Sequence, residues 1–496
     1  YDPWGTGITY TGFCLMGLGC LLLLCARDGG FRRLLRHPQI RKGGLFLIAL
    51  FGGCQLKADP ALPVVKRVQA DSLAIQQVVY NDRVAPFNTL ARDFVQKIYG
   101  RPSFHRITPE QVVSSWMLYP EEWNRTPIIR IKNQELRTAL GLKEEYASLN
   151  HLFDGTQYKL QPLWQREQGN RSKLAQAIQE TDEKVGLILM LRQGTLIRPL
   201  PPDVTPLSTQ KVNAELWYNR IPFSKILFMV NLTLGFAAFG LFMFRMLTGR
   251  KEKAVSRRVW GTALCLTTLF HATGYALRGY IRGGFPLSNG YETMQFVALA
   301  VLLTACLLQR RFPFTRPFGF LLSGFTLLVA YLGEMNPQIT PLMPVLASPW
   351  LSWHVSLIMI SYGLFAFTFL NGILALCLIG KQKNTASPIT GEQIEQLTLL
   401  SRLLLYPGTF LLGIGIVLGA VWANVSWGSY WSWDPKEVWA LAAFIIYGIS
   451  FHRNSLPCFQ RQWLFHGYMI FAFAVVLMTY FGVNHLLGGM HSYANS

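Results

Sequence analysis

The sequence predicts an all-α polytopic membrane protein of about ten transmembrane helices, with a mainly helical soluble insert outside the membrane. The composition supports this class, because 51% of the 496 residues are hydrophobic and only 15% are charged. Long apolar runs recur along the chain at the length that spans a bilayer. Basic residues collect in the short loops between these runs, as they do in cytoplasmic loops of membrane proteins.

The apolar runs define the predicted transmembrane helices, since a helix needs roughly 17–25 mostly apolar residues to cross a bilayer. The run 437–453 is short and ends in His452 and Arg453, whose polar ends can reach the interface. A tenth segment, 43–56, is shorter still. It is either a short span or, because basic residues and an apolar core precede "GGC", a lipoprotein signal region; its internal position favours the span. The nine longer runs lie at 8–26, 224–247, 259–281, 290–309, 317–334, 354–379, 403–422, 437–453 and 463–484.

The distribution of basic residues predicts which loops face the cytoplasm. If 423–436 lies outside, the loops 248–258, 310–316, 380–402 and 452–462 lie inside, and they hold thirteen of the Lys and Arg residues. The opposite loops hold only Arg282 and Lys436. The positive-inside rule therefore predicts that the tryptophan-rich stretch 427–439 and the insert 57–223 both face outward.

Several function classes are disfavoured by the same composition. The net charge of +20 could indicate nucleic-acid binding, but the basic residues lie in short loops rather than on a soluble basic face. The eight cysteines mostly lie within apolar runs and form no Cys-x-x-Cys pair, so a disulfide framework or a thiolate zinc site is not expected. The chain begins at Tyr1 rather than methionine, which indicates a fragment or a processed product.

The insert 57–223 carries no recognisable catalytic motif. Apolar residues recur at helical spacing in 71–100, and the proline-rich segment 198–210 predicts a linker that leads back to the membrane. His105 and His151 have no acidic or cysteine companions at ligand spacing, so we expect them to be ordinary surface or packing histidines.

The stretch "WGSYWSWDPKEVW" at 427–439 is the most distinctive feature of the chain. Tryptophans are common at bilayer interfaces, and such a belt suffices to explain Trp350, Trp353 and Trp422. A belt requires neither a fixed Trp-Asp-Pro sequence nor aromatic residues at alternating positions. We therefore expect a stacking platform for a flat aromatic ligand, formed by Trp427, Tyr430, Trp431, Trp433, Asp434 and Trp439.

The charged residues in this stretch have a structural interpretation as well. Asp434 followed by Pro435 predicts the N-cap of the next helix, with Glu437 in its first turn. Lys436 is either a contact for an anionic edge of the ligand or a solvated charge at the interface. We expect the structural role to be the main one for Asp434.

Histidines on the same predicted outer face suggest the identity of that ligand. His354 lies at the outer end of one span, and His485 and His491 follow the last span. Histidine is a common axial ligand of haem iron, and haem is a flat, apolar ring with anionic edges. The sequence therefore predicts haem binding by the platform together with flanking histidines.

These motifs carry a resemblance to a known family. "WGSYWSWDPKEVWAL" resembles the WWD motif of haem-handling membrane proteins. "GGFPLSNGYETM" at 283–294 and "GVNHLLGGMHSY" at 482–493 resemble the CcsA half of the fused system II cytochrome c synthases (CcsBA), and "YDPWGTGITYTGF" resembles the end of the CcsB half. The implied domains are a CcsB-like transmembrane part with a cytoplasmic loop at 1–56, the insert at 57–223, and a CcsA-like haem-handling domain at 224–496.

The resemblance implies a holocytochrome c synthase, or haem lyase, in the bacterial cytoplasmic membrane, with the platform towards the periplasm. Haem b would cross from the cytoplasm and become thioether-linked to the Cys-x-x-Cys-His motif of an apocytochrome c. His354 and His491 match the two outer axial ligands of the iron, and His452 matches a ligand of an inner haem site. The implied partners are apocytochrome c, haem, membrane lipid and a CcsB-like N-terminal half, with no nucleic acid.

The family's partner for His452 lies in the CcsB half, upstream of Tyr1, so either another polypeptide or a local histidine has to replace it. His466 and His271 are the local candidates; a helix–helix hydrogen bond is the preferred interpretation of His466, and His271 stays open. Two alternatives to the lyase remain. One is a haem exporter or chaperone that delivers haem without attaching it, and the other is a solute transporter whose tryptophans form only a belt.

Overall fold

The computed structural model describes residues 62–155, 157–167, 169, 172–248, 252–333, 335–340, 348–384, 388–452 and 455–487. The predictions for 1–56, including the spans at 8–26 and 43–56, fall outside this part of the chain. His491 also lies outside it, and His485 is described by its backbone alone.

The insert is mainly helical with short strands, as the sequence predicts. Its β1 and β2 form an antiparallel hairpin that pairs Tyr80 with Arg83, and β7 extends this sheet on the side of β1. The elements in chain order are α1 (Arg67–Ala74), β1 (Gln77–Tyr80), β2 (Arg83–Pro86), α2 (Phe87–Tyr99), α3 (Pro109–Leu118), α4 (Pro120–Arg125), β3 (Ile129–Arg130), α5 (Gln134–Ala139), β4 (Tyr146–Ala147), β5 (Phe153–Asp154), β6 (Gln157–Tyr158), α6 (Leu160–Glu167), α7 (Lys173–Arg192), β7 (Arg198–Pro199) and α8 (Thr209–Arg220).

The insert has a hydrophobic core of its own around α2. This helix buries Leu90, Phe94 and Ile98 on one face, which is the helical periodicity that the sequence shows over 71–100. Trp116 and Trp123 stack on each other in the same core with ring centroids 5.8 Å apart. A core of this kind makes the insert a folded unit on the membrane helices rather than a long loop.

The C-terminal part of the chain is a bundle of long helices, which confirms the all-α polytopic class. Six helices in the described ranges are long and apolar enough to cross a membrane. The predicted runs 259–281 and 437–453 are helical over 254–282 and 435–449, although neither is among those six. The helices are α9 (Phe223–Thr248), α10 (Ala254–Arg282), α11 (Gly290–Leu308), α12 (Thr315–Leu332), α13 (Pro349–Asn384), α14 (Pro388–Trp427), α15 (Pro435–Ile449) and α16 (Gln462–Leu477), followed by a π-helical segment, Met478–Leu487.

The two longest helices, α13 and α14, pack closely because α14 presents glycines to α13. A Cβ atom added at Gly408 would lie 2.7 Å from the ring of Phe365, and one added at Gly415 would lie 2.6 Å from Ile358. Small residues of this kind let helix backbones approach each other in a membrane. The buried Ser361 hydroxyl also donates a hydrogen bond of 2.7 Å to the carbonyl of Gly408.

The helices α9 to α12 form a bundle with an ion cluster at one end and the insert at the other. At the end predicted to face the cytoplasm, Glu252 accepts hydrogen bonds from Arg316 at 2.8 and 3.0 Å and from Arg245 at 3.0 Å. The insert packs against the opposite end, where α8 lies against α10 and the loop 335–340 reaches the hairpin β1–β2. The structure therefore gathers the insert and two described parts of the predicted outer loops, 282–289 and 335–340, at one end of the bundle.

Removing the Glu252 carboxylate should destabilise the bundle strongly. Glu252→Ala leaves the Arg316 guanidinium, whose side chain is 4% exposed, without its anion, and breaking a buried pair costs about 3 kcal/mol. We expect a clearly lower Tm in detergent, measured by intrinsic tryptophan fluorescence. The control is Glu183→Ala, which breaks the exposed pair with Lys97 and should cost less than about 1 kcal/mol. Equal Tm values for the two variants would contradict this account of the cluster.

Candidate functional site

The tryptophan-rich loop is anchored by the first turn of α15. The Asp434 carboxylate accepts a hydrogen bond of 3.0 Å from the backbone N–H of Lys436, while Glu437 accepts one of 3.2 Å from the N–H of Asp434. Together they form a capping box, with Pro435 at the first helical position. Glu437 also accepts a hydrogen bond of 2.9 Å from the N–H of Ser432. The predicted cap at Asp434 is confirmed, and the hydrogen bond from Ser432 to Glu437 also connects the loop to the first turn of α15.

The backbone of this loop turns Trp433 outward. Trp433 has φ +58°, in the left-handed region that bulky residues seldom adopt, and its side chain is 74% exposed. Its ring meets that of Trp431 edge-to-face, with the centroids 6.0 Å apart and the planes at 89°. A strained conformation that exposes a large apolar ring has to be held by its surroundings, and such strain is typical of functional sites. Trp433 is thus the most accessible ring of the predicted platform.

The remaining platform residues are less exposed. Tyr430 and Trp431 are half-buried, and Trp439 packs among the side chains between α13, α15 and α16. Trp427 lies edge-to-face against Trp422, with ring centroids 4.8 Å apart. Trp422 is only 1% exposed, so the belt interpretation is wrong for this residue, whereas Trp350 and Trp353 are exposed as a belt requires. Trp422 instead supports the base of the loop.

His354 is held in one orientation by α14. Its Nδ1 lies 2.6 Å from the carbonyl oxygen of Gly415, and because a carbonyl only accepts, Nδ1 carries the proton. A neutral imidazole of this tautomer has its lone pair on Nε2, which suits Nε2 for binding a metal. The ring packs over Gly419, where an added Cβ would lie 2.6 Å away from it. Gly415 and Gly419 are therefore parts of the site that sequence reasoning missed.

The same helix that orients His354 also carries the tryptophan loop. Gly419 precedes Trp427 by eight residues along α14, which corresponds to roughly 12 Å of helix axis. The histidine therefore lies about two turns away from the end of the helix where the loop begins. The spacing of Gly408, Gly415 and Gly419 in the sequence is the signal that could have indicated this helix contact.

The other predicted histidines lie in contrasting surroundings. His452 is exposed in the turn that follows α15. His466 is fully buried, and its Nε2 lies 2.9 Å from the hydroxyl of Thr398 on α14, which is the helix–helix hydrogen bond that the sequence favoured. His271 is 1% exposed within α10. Of these three, only His452 has an accessible position for a ligand that enters from solvent.

The last described segment is a π-helix, which has wider turns than the α-helix that precedes it. Residues Met478–Leu487 form a π-helix that continues α16 and includes the backbone of His485. A Cβ atom at Gly482 would collide with the side chain of Met478, so this glycine makes room inside the wider turn. π-Helical turns are rare and frequently mark functional sites.

These features define a class of protein: a polytopic helical membrane protein in which one close-packed helix pair orients a histidine and ends in an exposed aromatic loop. Comparison with known proteins specifies the family. A model of the family "Cytochrome C assembly protein" matches residues 287–491. The cytochrome c biogenesis protein CcsA of Synechococcus is 33% identical over an alignment of 314 positions, gaps included, which covers 53% of this chain and 94% of that protein. The chain belongs to this CcsA family of cytochrome c biogenesis proteins.

Two further relatives extend the comparison. CcsA of Prochlorococcus marinus is 32% identical over an alignment of 305 positions, gaps included, which covers 53% of this chain and 93% of that protein. Protein NrfI of Wolinella succinogenes is 31% identical over an alignment of 580 positions, gaps included, which covers 99% of this chain but 63% of NrfI. The match to NrfI includes the insert and the N-terminal part, so the chain is a CcsA-type protein fused to an additional N-terminal part. It spans about 63% of the length of NrfI.

A methyl group at Gly419 should displace His354. In Gly419→Ala the new Cβ would lie 2.6 Å from the imidazole, so the ring has to leave its hydrogen bond to Gly415. We expect the histidine to lose its fixed tautomer, which nuclear magnetic resonance of ¹⁵N-labelled histidine would detect.

The control for this variant is Gly408→Ala, which crowds Phe365 at 2.7 Å in the same helix pair without touching the histidine. It should lower stability to a similar extent but leave the His354 signal unchanged. An unchanged His354 signal in Gly419→Ala would show that the glycine does not position the ring.

Proposed function

We propose that this protein brings haem to the outer face of the bacterial cytoplasmic membrane and attaches it to apocytochrome c, as a holocytochrome c synthase. One observation carries the proposal. The helix pair α13–α14 fixes His354 with its lone pair on Nε2, and α14 continues into a loop that exposes Trp433 in a strained conformation. An oriented imidazole and an exposed aromatic surface on one rigid support suit a flat, apolar ring with a central iron.

The roles of the individual residues follow from this arrangement. His354 would bind the iron through Nε2, and His491 would supply the second axial ligand from beyond the π-helix. Trp433 and Trp431 would contact the ring, together with Tyr430 and Trp427. Asp434 and Trp439 would act indirectly, because Asp434 caps α15 and Trp439 packs against the neighbouring helices.

Attachment of haem to a cysteine would require positioning of the thiol and the vinyl group more than it would require acid–base groups. In each attachment a cysteine thiol adds across a haem vinyl group: a sulfur–carbon bond forms, the hydrogen passes to the terminal vinyl carbon, and the double bond becomes single. No oxidant or reductant is consumed. Holding the two reacting groups in one geometry can supply a large part of the acceleration. The protein would thus fix which vinyl group meets which cysteine of the Cys-x-x-Cys-His motif.

The delivery route would begin on the cytoplasmic side. His452, which lies exposed after α15, would contribute to an inner haem site, and a CcsB-like N-terminal half would supply its partner. The buried hydrogen bond of His466 to Thr398 and the complete burial of His271 make them weaker substitutes for that partner. Haem b is then both the transported ligand and the substrate, and apocytochrome c is the periplasmic partner.

A haem exporter or chaperone is the second candidate function. The same observation supports it, because an oriented histidine and an aromatic platform are sufficient to hold and release haem without forming a bond. The two functions differ only in whether the product is covalent. A solute transporter with a tryptophan belt is disfavoured by the strained Trp433 and the buried Trp422.

Replacing His354 should abolish covalent attachment. The protein at its natural length would be produced with an apocytochrome c in a host that lacks its own maturation genes, and covalent haem would be measured by haem staining of the denatured cytochrome. We expect His354→Ala to lower the yield by more than about tenfold, because even the loss of residues that only support a metal ligand typically costs about 10–100-fold. The control is His151→Ala in the insert, where the ring is described in one hydrogen-bond contact, with the backbone carbonyl of Leu140 at 3.0 Å.

The same experiment separates the candidate functions. Covalent product with the wild type supports the lyase, whereas haem that copurifies with the protein but never becomes covalent supports the exporter or chaperone. Normal product from His354→Ala would overturn the assignment of the site. Wild-type protein that carries no haem at all, with haem available, would overturn both functions.

A further inference from the structure

A buried threonine, Thr479, lies where three helices meet near the tryptophan-rich loop. It is the second residue of the π-helix Met478–Leu487 and is only 5% exposed. The apolar side chains of α13, α15 and α16 form one hydrophobic core, and the contacts of Thr479 reach all three helices. A hydroxyl group in such surroundings needs partners within the protein, so its contacts show which elements it holds together.

The Thr479 hydroxyl bonds to two backbone carbonyls. Its Oγ1 lies 2.8 Å from the carbonyl oxygen of Val475, four residues earlier in the chain, and 3.2 Å from that of Trp439 in α15. Both carbonyls only accept, so the two bonds share the single hydrogen of the hydroxyl. The bond to Val475 is of the kind that a threonine commonly makes within its own helix. The bond to Trp439 crosses to another helix.

Tyr362 connects this threonine to α13. Its hydroxyl faces that of Thr479, and because the Thr479 hydrogen is directed at the two carbonyls, Tyr362 is the group that can donate. His354 precedes Tyr362 by eight residues in the same helix, which corresponds to roughly 12 Å of helix axis. We refer to the contacts of Thr479 with Trp439 and Tyr362 as the Thr479 junction. This junction joins α15 to the helix that carries His354.

A second contact joins the same two helices further from the loop. The rings of Phe365 in α13 and Tyr447 in α15 stack with their centroids 3.6 Å apart and their planes at 3°. Both residues are fully buried. Because the stack and the Thr479 junction lie about two turns apart along α15, together they fix the direction of this helix as well as its position.

The tryptophan-rich loop is therefore connected to α13 at both of its ends. Where the loop begins, α14 is joined to α13 by the hydrogen bond between His354 and Gly415. Where the loop ends, α15 is joined to α13 by the Thr479 junction, about one turn into the helix. The residues between, 428–434, have to span the distance between these two helix ends. The relative position of α14 and α15 thus limits the conformations that the loop can adopt.

We propose that Thr479 is a positioning residue for the haem site, which sets the place of the tryptophan-rich loop relative to His354 through its bond to the Trp439 carbonyl and its contact with Tyr362. The proposal rests on the proposed function, because haem is the ligand that would meet the loop and the histidine together. Loss of the Thr479 hydroxyl would let α15 shift against α13. The aromatic rings would then meet a haem bound to His354 at a changed angle.

A purely local role is the alternative for Thr479. Thr326 in α12 illustrates such a role, since its hydroxyl donates to the carbonyl of Leu322, four residues earlier, at 2.8 Å. The bond of Thr479 to Val475 has the same spacing and the same length. If that bond were all that mattered, replacement of either threonine by valine would have the same effect. Thr326→Val is therefore the matched control.

The direct test compares Thr479→Val with Thr479→Ser in the protein at its natural length. Valine has nearly the shape of threonine but no hydroxyl, whereas serine keeps the hydroxyl. The tryptophans would be replaced by fluorotryptophan, and the ¹⁹F resonance of Trp439, assigned from its absence in Trp439→Phe, reports on this ring without haem. Electron paramagnetic resonance of bound ferric haem, at equal haem content, and haem staining of a coproduced apocytochrome c would follow.

We expect Thr479→Val to shift the Trp439 resonance, to broaden the low-spin haem signal and to lower the yield of covalent haem by about fivefold, as the loss of one hydrogen bond typically does. Thr479→Ser and Thr326→Val should match the wild type in all three measurements. An unchanged Trp439 resonance in Thr479→Val would overturn the proposal. A serine variant that fails as the valine variant does would overturn it as well, because the hydroxyl would then not be the cause.

The measurement without haem separates two kinds of failure. If the Trp439 resonance shifts in Thr479→Val while the haem signal and the yield match the wild type, Thr479 holds the tryptophan but does not position the haem site. That result overturns the proposal and leaves the proposed function intact. If His354→Ala leaves the haem signal unchanged, the proposed function fails and the positioning role fails with it, while the ¹⁹F resonance still decides whether Thr479 holds α15.

Tyr362→Phe covers the case in which Thr479→Val does not fold. It removes the hydroxyl that faces Thr479 and keeps the ring in the core. Its control is Tyr447→Phe, which makes the same change in the same core, where the hydroxyl faces Thr368 instead. We expect only Tyr362→Phe to shift the Trp439 resonance and to lower the yield of covalent haem. Equal effects of the two phenylalanine variants would contradict the proposed role of the junction.

Discussion

The hydrogen bond from Nδ1 of His354 to the carbonyl of Gly415 is the interaction on which the rest of the site depends. At 2.6 Å it joins α13 to α14, fixes the tautomer of the imidazole and leaves the lone pair on Nε2. It requires that the two helices approach closely, which the glycines of α14 allow. Since α14 also ends at Trp427 and leads into the loop of Trp433, the helix that orients the histidine also leads into the tryptophan-rich loop.

Charge supports this arrangement at both ends of the neighbouring bundle in the same way. Each end has one glutamate between two arginines, with Glu252 at the predicted inner end and Glu292 at the outer end. In each cluster one arginine also donates to backbone carbonyls. At the inner end Arg316 donates to the carbonyl of Arg257. At the outer end Arg278 donates to the carbonyls of Pro337 and Gln338. These ion pairs hold the helices of the bundle together at both ends.

Local features of this structure could be predicted from the sequence, and contacts between distant segments could not. The N-cap at Asp434, with Glu437 in the first turn of the helix, lies within four residues and was predicted, and so were the helical runs and the helical insert. The contact of His354 with Gly415 spans 61 residues, and that of Arg83 with the carbonyl of Ile339 spans 256. No local sequence pattern encodes either contact. Trp422 was misassigned because hydropathy identifies an aromatic residue near an interface but not the ring against which it packs. Hydropathy also found only the apolar centres of α13 and α14, which continue for 36 and 40 residues.

The central claim is that His354 is an axial ligand of haem iron beside the tryptophan loop. Electron paramagnetic resonance of ferric haem bound to the purified protein tests it most directly, because the spectrum reports the axial ligands of the iron. The account predicts a low-spin signal with two histidine ligands in the wild type, and its loss or conversion to a high-spin signal in His354→Ala. An identical low-spin signal in the two proteins, at equal haem content, would contradict the claim.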